Sequence, residues 1–297
     1  MKILIAGAGG FIGSAVASHL STQGYEVTRL VRREAGPGEV RWDPDGGTID
    51  TAGLEGFDGV IQVASMAWGG RWTPAFKQQI RDNHVGAIRI IADALANCRQ
   101  KPGVLICASG MGIYPSSGDQ VITEDSQPGT DFLARLQCDG EAAANPAAAA
   151  GIRVVHLRIP MVLGGRNLAM LAANLRRGFG RLGSGRQWCS WVCRDELVSI
   201  IHFALTCEAV RGPINAVSPH PVTNAEFTET LARILGSQPR LAIPAFVLRL
   251  MLGEMADALA LASRRMVPGK LLEAGYAFRF PELETALRHE LAELQVR

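Results

Sequence analysis

Seven residues near the N-terminus, Gly7-Ala8-Gly9-Gly10-Phe11-Ile12-Gly13, restrict this chain to few folds. Three glycines at this spacing follow an aliphatic run (3–6) and precede an amphipathic stretch (11–23). That context predicts a strand turning tightly into a helix. Gly7 would allow the turn, Gly10 would let backbone N–H groups approach a pyrophosphate, and Gly13 would let the helix lie close to the strand. An anion then meets the positive end of the helix. Gly7, Gly9, Gly10, Phe11, Ile12 and Gly13 are therefore the expected cofactor-binding residues, against the plainer reading of a structural glycine turn.

The rest of the chain supports that reading. Further short, nearly all-apolar runs at 26–31, 59–64, 104–108 and 153–158 suit a parallel sheet buried on both faces. Helical patterns lie between them at 82–97 and 132–150, the latter with Pro146 near its end. The alternation predicts an α/β fold, a Rossmann doubly wound parallel sheet. Residues 1–165 form the expected nucleotide domain, completed by 195–218. Residues 166–194 and 219–297 form a smaller, mostly helical substrate region. There, helices are expected at 167–178, 195–207 and 224–235 (Asn224 as N-cap), with a strand at 213–217 and short helices after Pro244.

Composition excludes several classes. A net charge of +2 over 297 residues, with arginines scattered among acids, argues against a nucleic-acid binder. No apolar run is long enough to span a membrane. The six cysteines form no CxxC and the histidines no metal-ligand spacing, so reduced thiols, a cytoplasmic location and no metal are expected.

Nicotinamide choice is read where the second strand ends. Here Leu30-Val31-Arg32-Arg33 offers two guanidiniums, and no carboxylate before Glu34. Arginine presents a rigid fork of donors to phosphate. Arg32 and Arg33 thus predict NADP(H) rather than NAD, the alternative being two surface arginines. Ala64, closing the 59–64 run, is counted with the same site.

With Val104-Leu105-Ile106-Cys107-Ala108-Ser109, the motif and strand end resemble the extended short-chain dehydrogenase/reductase superfamily. The chain is closer still to an atypical, epimerase-like branch. Its landmarks include Arg71-Trp72-Thr73, Gly183-Ser184-Gly185-Arg186-Gln187-Trp188, Ser190-Trp191, Leu271-Leu272-Glu273-Ala274-Gly275-Tyr276 and Phe278-Arg279-Phe280-Pro281. In the wider superfamily a Tyr-x-x-x-Lys pair performs acid–base work beside a serine or threonine. Ser109 matches that serine. The tyrosine and lysine positions fall on Gln137 and Glu141, and none of the three tyrosines has a lysine four residues on. The atypical branch is expected to lack the pair as well.

Ser109 is thus expected at the nicotinamide and in catalysis. Tyr114 could supply a phenol, or simply pack. Glu141 reads as a salt-bridged helix residue, and Cys138 could lie near the site. Pro160 resembles the superfamily's proline against the nicotinamide. Arg186, Trp188 and Trp191 resemble the substrate-side loop, with inter-domain packing as the alternative. Two functions remain open: an NADP(H)-dependent, epimerase-like oxidoreductase on a small polar substrate (a sugar nucleotide or carbonyl compound), or a non-catalytic NADP(H)-binding regulatory protein. A small-molecule partner is expected, with a homodimer as the open alternative to a monomer.

Overall fold

The computed structural model describes residues 1–66, 68–239 and 241–295. At its centre is an eight-stranded sheet. The first elements are β1 (Lys2–Ala6), helix α1 (Phe11–Thr22), β2 (Glu26–Val31), β3 (Glu39–Asp43), β4 (Thr48–Ile49) and β5 (Gly59–Gln62). Helix α2 (Pro74–Asn97), β6 (Val104–Gly110), α3 (Phe132–Ala143), α4 (Asn145–Ala149) and the strand Arg153–Ile159 follow. Strand Gly212–Asn215 forms one edge, beside 153–159, and the order continues β6, β5, β1, β2, β3, β4. All neighbours are parallel except β3 and β4.

Strand alternation builds two cores. Ile3 and Ile5 of β1 face one layer with Val16 and Leu20 of α1, and with the helix α6 (Arg194–Thr206) that follows α5 (Gly165–Arg176). Leu4 and Ala6 face the other, with Ile88, Ile91 and Leu95 of α2. Both faces are covered, which is why the strands read as continuous apolar runs.

The sheet reverses direction between β1 and β5. Successive strands run outward from β1 through β2 and β3 on one side, and through β5 and β6 on the other. A crevice at the carboxyl ends of strands at such a point is where ligands bind in this architecture.

Beyond 160 the chain builds a third core from α5, α7 (Asn224–Ile234) and α10 (Leu283–Gln295), which follows α8 (Ala245–Leu252) and α9 (Gly269–Glu273). Three boundaries differ from the sequence reading. Helix α2 begins eight residues earlier than Asp82, because Thr73 caps it and Pro74 takes its first turn. The 132–150 helix is two, broken at Ala144 ahead of Pro146. Thr223, not Asn224, caps α7 in a reciprocal box with Glu226, while the Asn224 side chain accepts from the Leu182 N–H.

Candidate active site at the sheet crevice

The glycine turn sits at the carboxyl end of β1. Gly7 has φ +90°, and a Cβ there would stand 2.6 Å from the Ala64 nitrogen. A Cβ on Gly13 would stand 2.1 Å from the Gly7 oxygen, so α1 lies against the turn. Both positions are closed to any larger residue. Gly9 is the opposite case: a Cβ there meets nothing within 4 Å. The first turn of α1 carries no acidic side chain, leaving the positive helix end open to an anion.

A cleft of about 580 Å³ opens over this turn. Gly7, Gly9 and Gly10 form one wall, Ala64 and Ser65 another, and Arg32 and Arg33 a third. The two arginines are not equivalent. Arg33 is held by both oxygens of Glu39, at 2.7 and 2.6 Å, and this pairing raises its pKa. Arg32 makes no hydrogen bond or ion pair among the described residues and is exposed. The open turn, the bare helix end and this unpaired cation fit a phosphorylated dinucleotide. Phe11 stands aside from the cleft walls, its ring against Gly164 and Gly165 and under the Arg194 guanidinium. Ile12 is partly buried against the α1 side of the core.

Ser109 lies near the end of β6. Its hydroxyl is 3.2 Å from Oε1 of Gln137 and 2.9 Å from Oε1 of Glu141. Sequence spacing assigned the missing pair to these two residues, and the structure brings both to the serine. Arg158 donates to both carboxylate oxygens of Glu141, each at 2.9 Å. Burial works against the Arg158 cation, but the Glu141 carboxylate outweighs it and raises the guanidinium pKa.

Arg158 also corrects the reading of Tyr114. The Tyr114 hydroxyl accepts from Arg158 at 2.6 Å and donates to Asn215 Oδ1 at 2.8 Å. The side chain is fully buried, and burial pushes its pKa up to about 12. With no free lone pair facing a ligand and no exposure, Tyr114 is a packing residue and not an acid–base group. Burial likewise raises the Cys138 thiol and pushes Cys107 up to about 12, so neither is a thiolate nucleophile at neutral pH. His156 lies mid-strand, where burial lowers its pKa.

The substrate-side residues divide. Trp188 lines a second cavity of about 150 Å³; its Nε1 donates to Asp119 at 2.7 Å and Arg265 stacks on its ring. Trp191 is fully buried in the third core and donates to the His220 carbonyl. It cannot touch a substrate, and its packing reading replaces the binding one. Arg186 is exposed and Pro160 is buried, and neither lines either cavity.

Sequence reasoning missed Arg158 as a site residue. A charged side chain near the end of the apolar 153–159 strand was the available signal. Its partner, 17 positions away on α3, was not visible.

Comparison with known proteins settles the family. The NAD dependent epimerase/dehydratase family matches residues 3–216. The chain belongs to that family. A family described as a domain of unknown function matches residues 243–290. Among curated relatives, an epimerase family protein of Mycobacterium leprae, ML0860, is 36% identical, over 97% of this chain and 94% of its own length. The human epimerase family protein SDR39U1 is 31% identical, over 98% and 100%. The solved structure of human SDR39U1 (isoform2) with NADPH superposes with a TM-score of 0.89 at 30% identity, covering 98% of this chain and 99% of that one. The nucleoside-diphosphate sugar epimerase of Corynebacterium glutamicum gives 0.83 at 33% identity, over 99% and 58%. These relatives bear out the epimerase-like resemblance that the landmarks carried.

Proposed function

We propose that this protein is an NADP(H)-dependent, epimerase-like oxidoreductase acting on a small carbonyl or hydroxyl compound without a Tyr-x-x-x-Lys pair. The observation that carries it is the Ser109 hydroxyl, held by two neighbours at the sheet crevice that also contains the glycine turn. The human relative solved with NADPH supports the cofactor, as does the unpaired Arg32, whose fork would hold the 2′-phosphate. The Gly9–Gly10 turn and the start of α1 would hold the pyrophosphate.

Bound NADPH supplies a hydride: a C–H bond forms at the carbonyl carbon, NADP⁺ is left, and the oxygen takes up one proton. In the reverse, alcohol-oxidising direction, Ser109 would position the substrate hydroxyl. Its own proton faces two acceptors, so its lone pairs are free to receive a substrate hydroxyl. Gln137 does not titrate. Both oxygens of Glu141 are occupied as acceptors, by Arg158 and by Ser109. The proton therefore comes from water in this mechanism.

The same geometry favours one rival, an NADP(H)-binding regulatory protein with no turnover. Titration with NADPH and NADH, then NADPH absorbance on a carbonyl and sugar-nucleotide panel, separates them. Tighter NADPH binding and a turnover abolished by Ser109→Ala support the enzyme. Equal or tighter NADH binding removes the NADP assignment, and tight NADPH binding without turnover favours the regulator. Among the described residues no helix is long and apolar enough to cross a membrane. The six cysteines are free, which suits the reducing cytoplasm we infer for it.

A further inference from the structure

Two residues of the second cavity's wall lie close in sequence to residues of the crevice: Met111, two residues after Ser109, and Met161, directly after Pro160. From there the cavity runs between α5 and α7 into the C-terminal region, past Leu175 and Phe227. Its rim is apolar too. Phe179 lines the cavity while remaining 41% exposed, and it pairs in a short ladder with Leu241, 57% exposed.

Among the described residues, the wall carries one charged residue, Arg264, and no carboxylate. Arg264 is 2% exposed, and its guanidinium is already held by the Tyr114 and Ala258 carbonyls. A nucleoside diphosphate brings two or three negative charges and a polar sugar into its site. Such a ligand needs several charge-assisted donors to offset its desolvation. Here it would meet one committed arginine, the neutral polar side chains of Asn174, Ser190, Asn224 and Thr228, and an otherwise mainly apolar lining. The volume points the same way. An apolar cavity of about 150 Å³ accepts a benzene-sized body, which is the size found here.

We infer that the cavity takes the hydrophobic body of the substrate, an aryl group or an aliphatic chain of about six carbons, and sets its carbonyl or hydroxyl end toward Ser109. This rests on the oxidoreductase reading for the reaction, but not for the binding. Ring burial would be driven by apolar contact, with methionine side chains adapting to its outline.

Binding is tested directly on the full chain, without cofactor, by calorimetry and tryptophan fluorescence. The probes are acetophenone, 2-heptanone and UDP-glucose. Saturable binding of either ketone, with UDP-glucose at least tenfold weaker, is expected. Ala260→Trp and Thr228→Phe each add bulk to the wall from a different segment. Each should weaken ketone binding at least tenfold while NADPH affinity stays within twofold, which also shows that the variant folds. The inference is overturned if neither ketone binds, if UDP-glucose binds as tightly, or if both folded variants bind ketone as the wild type does. Ketone binding with no NADPH oxidation would leave the cavity assignment standing and remove the oxidoreductase reading alone.

Discussion

The Ser109 hydroxyl and the Glu141 carboxylate stand 2.9 Å apart on neighbouring elements, at the place where the wider superfamily keeps a serine and a lysine. The exchange of lysine for glutamate is not a lone change. Arg158 fills the other side of the carboxylate, so the positive charge has moved from helix α3 to strand 153–159 and left the serine facing an anion. Removing Glu141 would leave the Arg158 cation, 7% exposed at its side chain, with no ion-pair partner. Breaking one half of a pair this buried costs about 3–5 kcal/mol. Glu141→Ala should lower unfolding free energy by about that amount in urea titrations. Glu141→Lys should cost more, because it sets like charges together. If Glu141→Lys proves as stable as the wild type, the bridge does not hold the site.

The unequal state of Arg32 and Arg33 gives a second expectation. Arg32→Asp removes a free guanidinium beside the cleft and should weaken NADPH roughly ten- to hundredfold, the range of a charge-assisted hydrogen bond. NADH affinity should hold or improve. Arg33→Ala removes a side chain already committed to Glu39 and should cost NADPH binding less. Fluorescence titration of both variants with both nucleotides checks this, and equal losses for NADPH and NADH in Arg32→Asp would refute the 2′-phosphate contact.

These contrasts show which parts of the molecule were readable in one dimension. The strands β1, β5 and β6 announced themselves because burial on both faces leaves no room for polar residues. The edge strands β3 and β4 did not. In β3 only Val40 and Trp42 turn inward, and two alternating residues make a weak signal. The start of α2 was hidden for the opposite reason, since its first two turns bury only Ile80 fully, although Thr73-Pro74 marked the cap. At the site, Gln137 and Glu141 were found by spacing along one helix. The Arg158 bridge and the cavity wall are products of long-range packing, which no local pattern encodes.

The two glycines of the turn should separate folding from binding. Gly13→Ala drives a Cβ into the Gly7 oxygen at 2.1 Å, a backbone clash that no rotamer relieves. It should destabilise the domain and abolish nucleotide binding together. In Gly9→Ala the new methyl stands in open space, so unfolding free energy should change by less than about 0.5 kcal/mol. The nucleotide would meet that methyl, and NADPH affinity should fall. Thermal melts paired with NADPH titration give the comparison. A Gly9→Ala protein of unchanged affinity would place the pyrophosphate elsewhere.

Acid sensitivity should trace to His84 on α2. It is 5% exposed, with Trp68 edge-on to its ring and the α3 backbone at Gly140 so close that a Cβ there would lie 2.6 Å from Nε2. Burial lowers its pKa to about 4, and the neighbouring Gln137 amide only partly opposes this. The unfolded chain takes up a proton near the ordinary histidine value of about 6.5, while the folded chain resists it. Stability contributed by the neutral imidazole is therefore present above about pH 6.5 and is lost as pH falls toward 4, by about 3 kcal/mol in all. Replacing His84 with Gln removes the titration. The difference in unfolding free energy between wild type and His84→Gln should shift steadily in the variant's favour from pH 6.5 to pH 4, and a difference independent of pH across that window would show that folding does not lower the His84 pKa.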